Sequence, residues 1–254
     1  MSGATRRFGP LRAAAGLLHG LALVPGWLLT TKGSPTASAY ERRFMQRIAR
    51  RLVSRIDLTG AEPGGPGTLF IANHMSWMDI PVLGSALGTD FIAKSDVKTW
   101  PVIGPLSRRS GTLFVTREER HRVHHQAQQI GQKLQSGRSL VLFAEGTTSD
   151  GVDLLPFRSS LFEAATHAQR IQPLAIGYHR GDGARLTDEE LRVIGWTGDD
   201  ELVPNLRQVS RLWLTAEVRL TPHFRPDPEM SRKALTEQCR NAVSEAYAAI
   251  RQRS

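Results

Sequence analysis

Thr68 to Leu87, TLFIANHMSWMDIPVLGSAL, decides how this chain is built. Thr68–Ala72 is a short apolar run that follows the turn-forming stretch Pro63-Gly-Gly-Pro-Gly67. An apolar run of that length, bounded by turn residues, predicts a strand buried on both faces. A helical pattern follows from about Trp77 to Leu87. Between the two, Asn73-His-Met-Ser-Trp-Met-Asp79 places polar residues at the carboxyl end of the strand. In open α/β sheets that end is where ligands bind.

Outward from this unit the alternation continues. Phe91–Ala93, Leu113–Val115, Ser139–Phe143, Ile171–Tyr178 and Leu212–Leu220 read as further strands. Glu118–Gln135, Ser159–Ala168 and Ser231–Gln252 read as helices, the last with Ser231 as N-cap. Strands alternating with helices predict the α/β class, with a mixed, largely parallel sheet flanked by helices. Glu145-Gly146-Thr147 follows the 139–143 strand as Asn73-His74 follows the first. If those two strands are parallel neighbours, both clusters open onto one surface.

The chain has 254 residues, a net charge of +9 and 40% hydrophobic residues, a balance that excludes a disordered protein. Its one cysteine, Cys239, excludes an internal disulfide framework and any zinc site built from several thiolates. The charge is concentrated. Residues 1–55 hold ten Lys/Arg against the single acid Glu41, while residues 56–254 hold 23 of each sign. Within that basic segment, Ala13–Thr30 is apolar, near the lower limit for a membrane span, but His19 and Pro25 make it a poor spanning helix. With Arg6, Arg7 and Arg12 ahead of it, it also has the form of a signal peptide, with Ala37-Ser38-Ala39 as a cleavage site. In Tyr40–Ile56, Phe44, Ile48, Leu52 and Ile56 recur every four residues among Arg42, Arg43, Arg47, Arg50 and Arg51. That is a basic amphipathic helix, suited either to an anionic membrane surface or to packing on the core with its basic face in water. Residues 1–56 are therefore expected to be a membrane-associating segment, and 57–254 an α/β domain. No recognition motif accompanies the basic residues, which argues against nucleic acid as a partner.

His74 and Asp79 are five apart, a rotation of about 500° on a regular helix, so they share no helix face. If His74 lies in the turn and Asp79 in the first helical turn, the carboxylate can fold back onto one imidazole nitrogen and leave the other to take a proton. Ser76-x-x-Asp79 also fits a capping box, in which Asp79 only supports the helix start. Glu145-Gly146-Thr147 can present backbone N–H groups and a hydroxyl to an anion. In Gly111-Thr-Leu-Phe-Val-Thr-Arg117, the guanidinium of Arg117 can hold a phosphate with two hydrogen bonds.

Together these blocks resemble the glycerolipid acyltransferases of the lysophosphatidic acid acyltransferase type. Asn73, His74, Ser76 and Asp79 match Asn-His-x-Ser-x-x-Asp, and Gly111, Phe114 and Arg117 match Gly-x-x-Phe-x-x-Arg. Phe143, Glu145, Gly146 and Thr147 match Phe-Pro-Glu-Gly-Thr-Arg, with Ala144 and Thr148 in place of Pro and Arg. Ile171–Ile176 with Pro173 matches the last block, and Lys94 and Trp100-Pro101…Gly104 sit where that family has similar residues. The string Glu145–Gly151, then Leu155–Phe162, and later Trp196–Asp199 with Leu202-Val-Pro204, is similar to the subgroup acting on lyso-ornithine lipid. The resemblance implies O-acyl transfer from acyl-CoA or acyl carrier protein to the hydroxyl of a lysolipid, either lyso-ornithine lipid or 1-acyl-glycerol-3-phosphate. It implies no cofactor and no metal. His74 would be the general base and Asp79 its orienting partner. Arg117, Glu145, Gly146 and Thr147 would hold the acceptor head group, and Asn73, Ser76, Gly111, Phe114 and Pro173 would support the site. It places the protein on the cytoplasmic face of the inner membrane.

Three other readings are weaker. A serine hydrolase needs a nucleophile motif such as Gly-x-Ser-x-Gly, and the sequence has none. His121, His124 and His125 can share a helix face as metal ligands but lack a zinc signature. A non-catalytic membrane-surface protein would leave all four blocks unexplained.

Overall fold

The computed structural model describes residues 18, 21–99, 103–115, 120–197 and 201–252. Among them, seven strands form one sheet: β1 (Ile56–Gly60), β2 (Leu69–Ala72), β3 (Asp90–Lys94), β4 (Leu113–Val115), β5 (Leu140–Phe143), β6 (Ile171–Arg180) and β7 (Leu214–Leu220). Their order is β1-β7-β6-β2-β5-β3-β4. β2 to β6 run parallel, β7 pairs antiparallel with β6, and β1 runs parallel to β7. The sheet is therefore mixed and largely parallel, as the alternation predicts. β2 and β5 are parallel neighbours, with Ala72 beside Phe143. The His74 and Glu145 clusters consequently leave the same edge side by side.

Every residue of β2 and β5 is buried, which fits two strands covered on both faces. One face packs on α2 (Pro35–Leu52) and α3 (Asp79–Leu87) and on α6 (Asp188–Ile194) and α7 (Leu202–Val209), reached in that core through Leu52, Val82, Leu83, Leu191 and Val209, while α1 (Val24–Leu28) lies against α2. The other face packs on α5 (Arg120–Gln135) and α8 (Arg232–Gln252) through Ile130, Leu134, Leu235, Val243 and Ile250. α4 (Ile103–Arg109) precedes β4 at the edge.

Three elements differ from the sequence reading. The basic helix starts earlier, at Pro35 behind the N-cap Ser34, and stops at Leu52. Val53 is already extended, so Ile56 belongs to β1 and not to the helical series. Ile48 and Leu52 are in the core and Phe44 packs against it. A Cβ on Gly84 would stand 2.9 Å from Met45 Cγ, so α2 and α3 meet closely because Gly84 lacks one. The apolar stripe of α2 is thus used inside the protein, while Arg42, Arg43, Arg47 and Arg50 stay exposed. Arg138 ties α2 to the sheet: it binds Asp90 at 2.6 and 3.0 Å, Glu41 at 3.4 Å and the Ser38 hydroxyl. Second, the helix read over Ser159–Ala168 forms over Ser159–His167 and is wound as a 3-10 helix. Third, α6 and α7 lie in a stretch for which the sequence reading gave no helix, although Thr187 and Glu190 form a capping box at the start of α6.

No described helix is long and apolar enough to cross a membrane. Residues 13–17, 19 and 20 of the Ala13–Thr30 run lie outside the described residues. In the remainder, Trp27 is buried, and Arg109 Nη2 donates to the carbonyls of Trp27 (2.7 Å), Leu28 (3.1 Å) and Thr30 (2.6 Å). That guanidinium caps the carbonyl end of α1. Leu18, Leu21, Leu28 and Leu29 remain exposed.

Candidate active site

The chain leaves β2 at Ala72 and enters α3 at Asp79, and six residues make the turn. Asn73 closes its first link. Its Oδ1 accepts from Ile176 N at 2.8 Å and its Nδ2 donates to Ile176 O at 3.0 Å, locking the end of β2 to β6. His74 then lies in the turn, as its spacing from Asp79 requires. Its Nδ1 is 2.8 Å from Asp79 Oδ2. A carboxylate here accepts, so Nδ1 carries the hydrogen and Nε2 keeps its lone pair. The His74 side chain retains 15% exposure and Asp79 none, so the orienting charge is sealed while the ring still reaches the surface.

Asp79 is also the anchor of the turn. Oδ2 accepts from Met75 N (2.8 Å) and Ser76 N (3.0 Å), and Oδ1 accepts from the Tyr178 hydroxyl at 2.7 Å. The bond from Ser76 N is half of a capping box, but the other half is missing: the N-cap of α3 is Met78, with no side-chain cap. Ser76 is buried and its Oγ receives Met78 N at 3.4 Å. Asp79 therefore supports the helix start and holds the imidazole at once.

The second cluster braces the first. Glu145 is 1% exposed, with both oxygens occupied by backbone donors: His74 N at 2.8 Å and Leu155 N at 2.9 Å. Its carboxylate faces inward and pins two loops, a different position from that expected of a head-group contact. Burial pushes its pKa from 4.5 up to about 7, against the pull of those two N–H donors. The Gly146 N–H bonds Phe143 O at 3.0 Å inside its own turn, not an outside anion. Thr147 is exposed at the rim. Phe143 stacks on the His74 ring with centroids 3.8 Å apart, fixing its plane from the β5 side.

The raised Glu145 pKa predicts a pH-dependent stability. Between 4.5 and about 7 the folded state keeps a proton that the unfolded chain has lost. This contribution is fully present below 4.5 and disappears as pH rises through 7. Glu145→Gln removes that titration. The melting temperature of the wild type should therefore fall relative to the variant from pH 5 to 8. Glu41, also raised to about 7 by burial, adds the same slope to both proteins. Parallel melting curves across that range would refute the assignment.

Of the matched residues of the third block, Gly111 and Phe114 are described. Gly111 (φ +83°) precedes β4, at the end of the sheet opposite His74, and its carbonyl accepts from Lys133 Nζ. Phe114 is half-buried on β4 with the Lys98 ammonium 5.0 Å from its ring centroid. Arg117, Trp100 and Pro101 lie outside the described residues. Pro173 sits in β6 beside Ile71, just before the β6–β7 ladder begins at Leu174, so its missing N–H breaks no rung of that ladder. His125 is exposed and 3.2 Å from Gln129, and the side chains of His121 and His124 lie outside the described residues.

Sequence reasoning missed Tyr178; it picked out the segment around Trp196 by resemblance, without its place beside the His74 turn. Trp196 N donates to Met75 O at 2.9 Å, and Trp77 Nε1 donates to Asn205 Oδ1 at 2.9 Å, so the α6–α7 region lies against the His74 turn. The available signal for Tyr178 was a lone hydroxyl near the end of an apolar strand.

Three comparisons bear on this arrangement. The acyltransferase family profile matches residues 49–177. A lyso-ornithine lipid O-acyltransferase of Brucella abortus is 38% identical over 256 residues, covering 96% of this chain and 94% of its own. A 1-acyl-sn-glycerol-3-phosphate acyltransferase of Neisseria meningitidis is 33% identical over 150 residues, 56% of this chain and 58% of its own. Among solved structures, a 1-acyl-sn-glycerophosphate acyltransferase of Thermotoga maritima shares the fold. Its TM-score is 0.68 at 18% identity, over 96% of this chain and 95% of that one.

Proposed function

The chain belongs to the acyltransferase family, and from that premise we propose that it transfers a fatty acyl group from acyl-CoA or acyl carrier protein to the hydroxyl of a lysolipid, lyso-ornithine lipid before 1-acyl-glycerol-3-phosphate. The observation that carries this reading is the His74–Asp79 pair at the carboxyl edge of the sheet, with Nδ1 engaged and Nε2 left to act. Nε2 takes the proton of the acceptor hydroxyl as its oxygen attacks the thioester carbonyl. A C–O bond forms, the C–S bond breaks, and the proton passes from the imidazolium to the departing thiolate. No acyl-enzyme is required. Asp79 orients the ring and stabilises its charge, while Glu145 and Phe143 hold the ring's loop and plane. Arg117 and the rim residue Thr147 are the residues we assign to the head group.

The preference for lyso-ornithine lipid rests on Thr148, where a phosphate-binding Arg would otherwise stand, and on the relative that spans nearly the whole chain. Access to a lipid substrate is supported by the N-terminal region. Exposed Leu18, Leu21, Leu28 and Leu29 offer apolar contact, and Arg42, Arg43, Arg47 and Arg50 offer charge to anionic head groups. A thioester donor places the reaction on the cytoplasmic face. The test is acyl transfer by purified protein in detergent, with both donors offered against both acceptors. Product from lyso-ornithine lipid is expected, with either donor. Product from lysophosphatidic acid alone would reverse the acceptor assignment. No product from any pair, with salt-sensitive binding to anionic vesicles intact, would favour a non-catalytic surface protein.

A further inference from the structure

Asp79 is held from two directions. Oδ2 serves the catalytic turn, receiving His74 Nδ1, Met75 N and Ser76 N. Oδ1 is held from the sheet by Tyr178 near the end of β6, at 2.7 Å. Tyr178 is 3% exposed and lies in the core that also contains Met75 and Met78. Burial, and next the Asp79 charge, push its pKa well above 10, so its hydroxyl remains a donor throughout the working range. Both oxygens turn together about the Cβ–Cγ bond, so the Tyr178 hydroxyl on Oδ1 adds, from the sheet, to the restraint that the three donors on Oδ2 place on that rotation from the turn.

We propose that Tyr178 is a positioning residue: its hydroxyl fixes the rotation of the Asp79 carboxylate, so that Oδ2 stays aligned with His74 Nδ1 and the imidazole holds Nε2 toward the acceptor. The inference rests on His74 being the general base. It makes β6, 99 residues beyond Asp79, part of the catalytic apparatus. The other ionisable groups that share the Asp79 field are His74 in the turn, Glu145 after β5 and Tyr247 on α8.

The test is Tyr178→Phe in the full chain. A hydrogen bond to a buried charge supports an expected fall in kcat of about tenfold, with the acceptor KM unchanged within about twofold. The acidic limb of the kcat/KM profile should move to higher pH, because a carboxylate with one donor fewer attracts the imidazolium proton more strongly. In an Asp79→Asn background, Tyr178→Phe should change kcat by less than about twofold, since it acts through the carboxylate. If the phenylalanine variant fails to fold, 3-fluorotyrosine at position 178 gives a stronger donor in an unchanged shape and should move the limb to lower pH. An unmoved limb in either variant overturns the proposal, as does the same tenfold loss in the Asp79→Asn background. A fall in melting temperature alone, with rate and pH profile intact, makes Tyr178 merely structural. His74→Ala separates the two layers. Substantial turnover there removes the general base and this inference with it. An inactive His74→Ala beside a wild-type-like Tyr178→Phe removes this inference alone.

Discussion

His74→Ala should lose about 10²–10⁴ in turnover, the usual contribution of a general base, and remain folded. The main-chain bonds of residue 74 survive the change: its N–H still reaches Glu145 Oε1 and its carbonyl still accepts from Ser149 N. Asp79 keeps Met75 N, Ser76 N and the Tyr178 hydroxyl, so no buried charge is abandoned. The losses are the ring's stacking on Phe143 and its bond to Asp79, at a position still partly open to water. The melting temperature should therefore shift by only a few degrees. Retention of more than about a tenth of the activity in a folded variant is incompatible with a base at this position.

The second large effect divides between two substitutions of Asp79. Four donors converge on this carboxylate, and none of it is exposed. Asp79→Ala leaves all of them without a partner. At about 1–3 kcal/mol for each unsatisfied buried group, and with incomplete additivity, a loss of about 3–5 kcal/mol is expected. Asp79→Asn is milder for the fold. The amide oxygen can replace Oδ2, and the Tyr178 hydroxyl can turn to accept from the amide nitrogen at Oδ1. It is severe for the chemistry, because a neutral amide no longer stabilises the imidazolium and holds the tautomer weakly. A loss of about 10³–10⁴ in turnover is expected, comparable to the same change in hydrolase triads. Denaturant unfolding and steady-state rates of both variants check this. An alanine variant with wild-type stability would show that the carboxylate does not anchor the turn. An asparagine variant with near-normal turnover would show that its charge is not used.

The legible parts of the fold were those with local causes. β2 and β5 are apolar runs of strand length between turn residues, and both are strands. Ser231 caps α8 through Ala234 N at 3.2 Å. The failures were places where local pattern and tertiary packing disagree. Ile56 continues the four-residue spacing of α2, yet pairing with β7 takes it into a strand. Ser159–His167 has helical periodicity, but it follows a loop pinned by Leu155 N to Glu145 and by Arg158 N to Ala144 O, and it winds as a 3-10 helix. The arginine-rich helix shows its charge in the sequence, whereas the destination of its apolar stripe depends on α3 and Gly84, outside the helix.

For the site, the contact between His74 and Asp79 was legible in their spacing. A spacing of five forbids a shared helix face, so a His–Asp contact requires a turn, and that contact forms at 2.8 Å. The sequence also determined that a second polar cluster follows a second buried strand. That β2 and β5 are neighbours was not legible, because strand order follows from how crossovers pack and not from any local pattern. The same holds for Glu145, which the resemblance places among the head-group contacts but whose burial turns both oxygens onto backbone N–H groups. It holds most clearly for Tyr178: a hydrogen bond across 99 residues has no periodicity to announce it, and it exists because β6 lies beside β2.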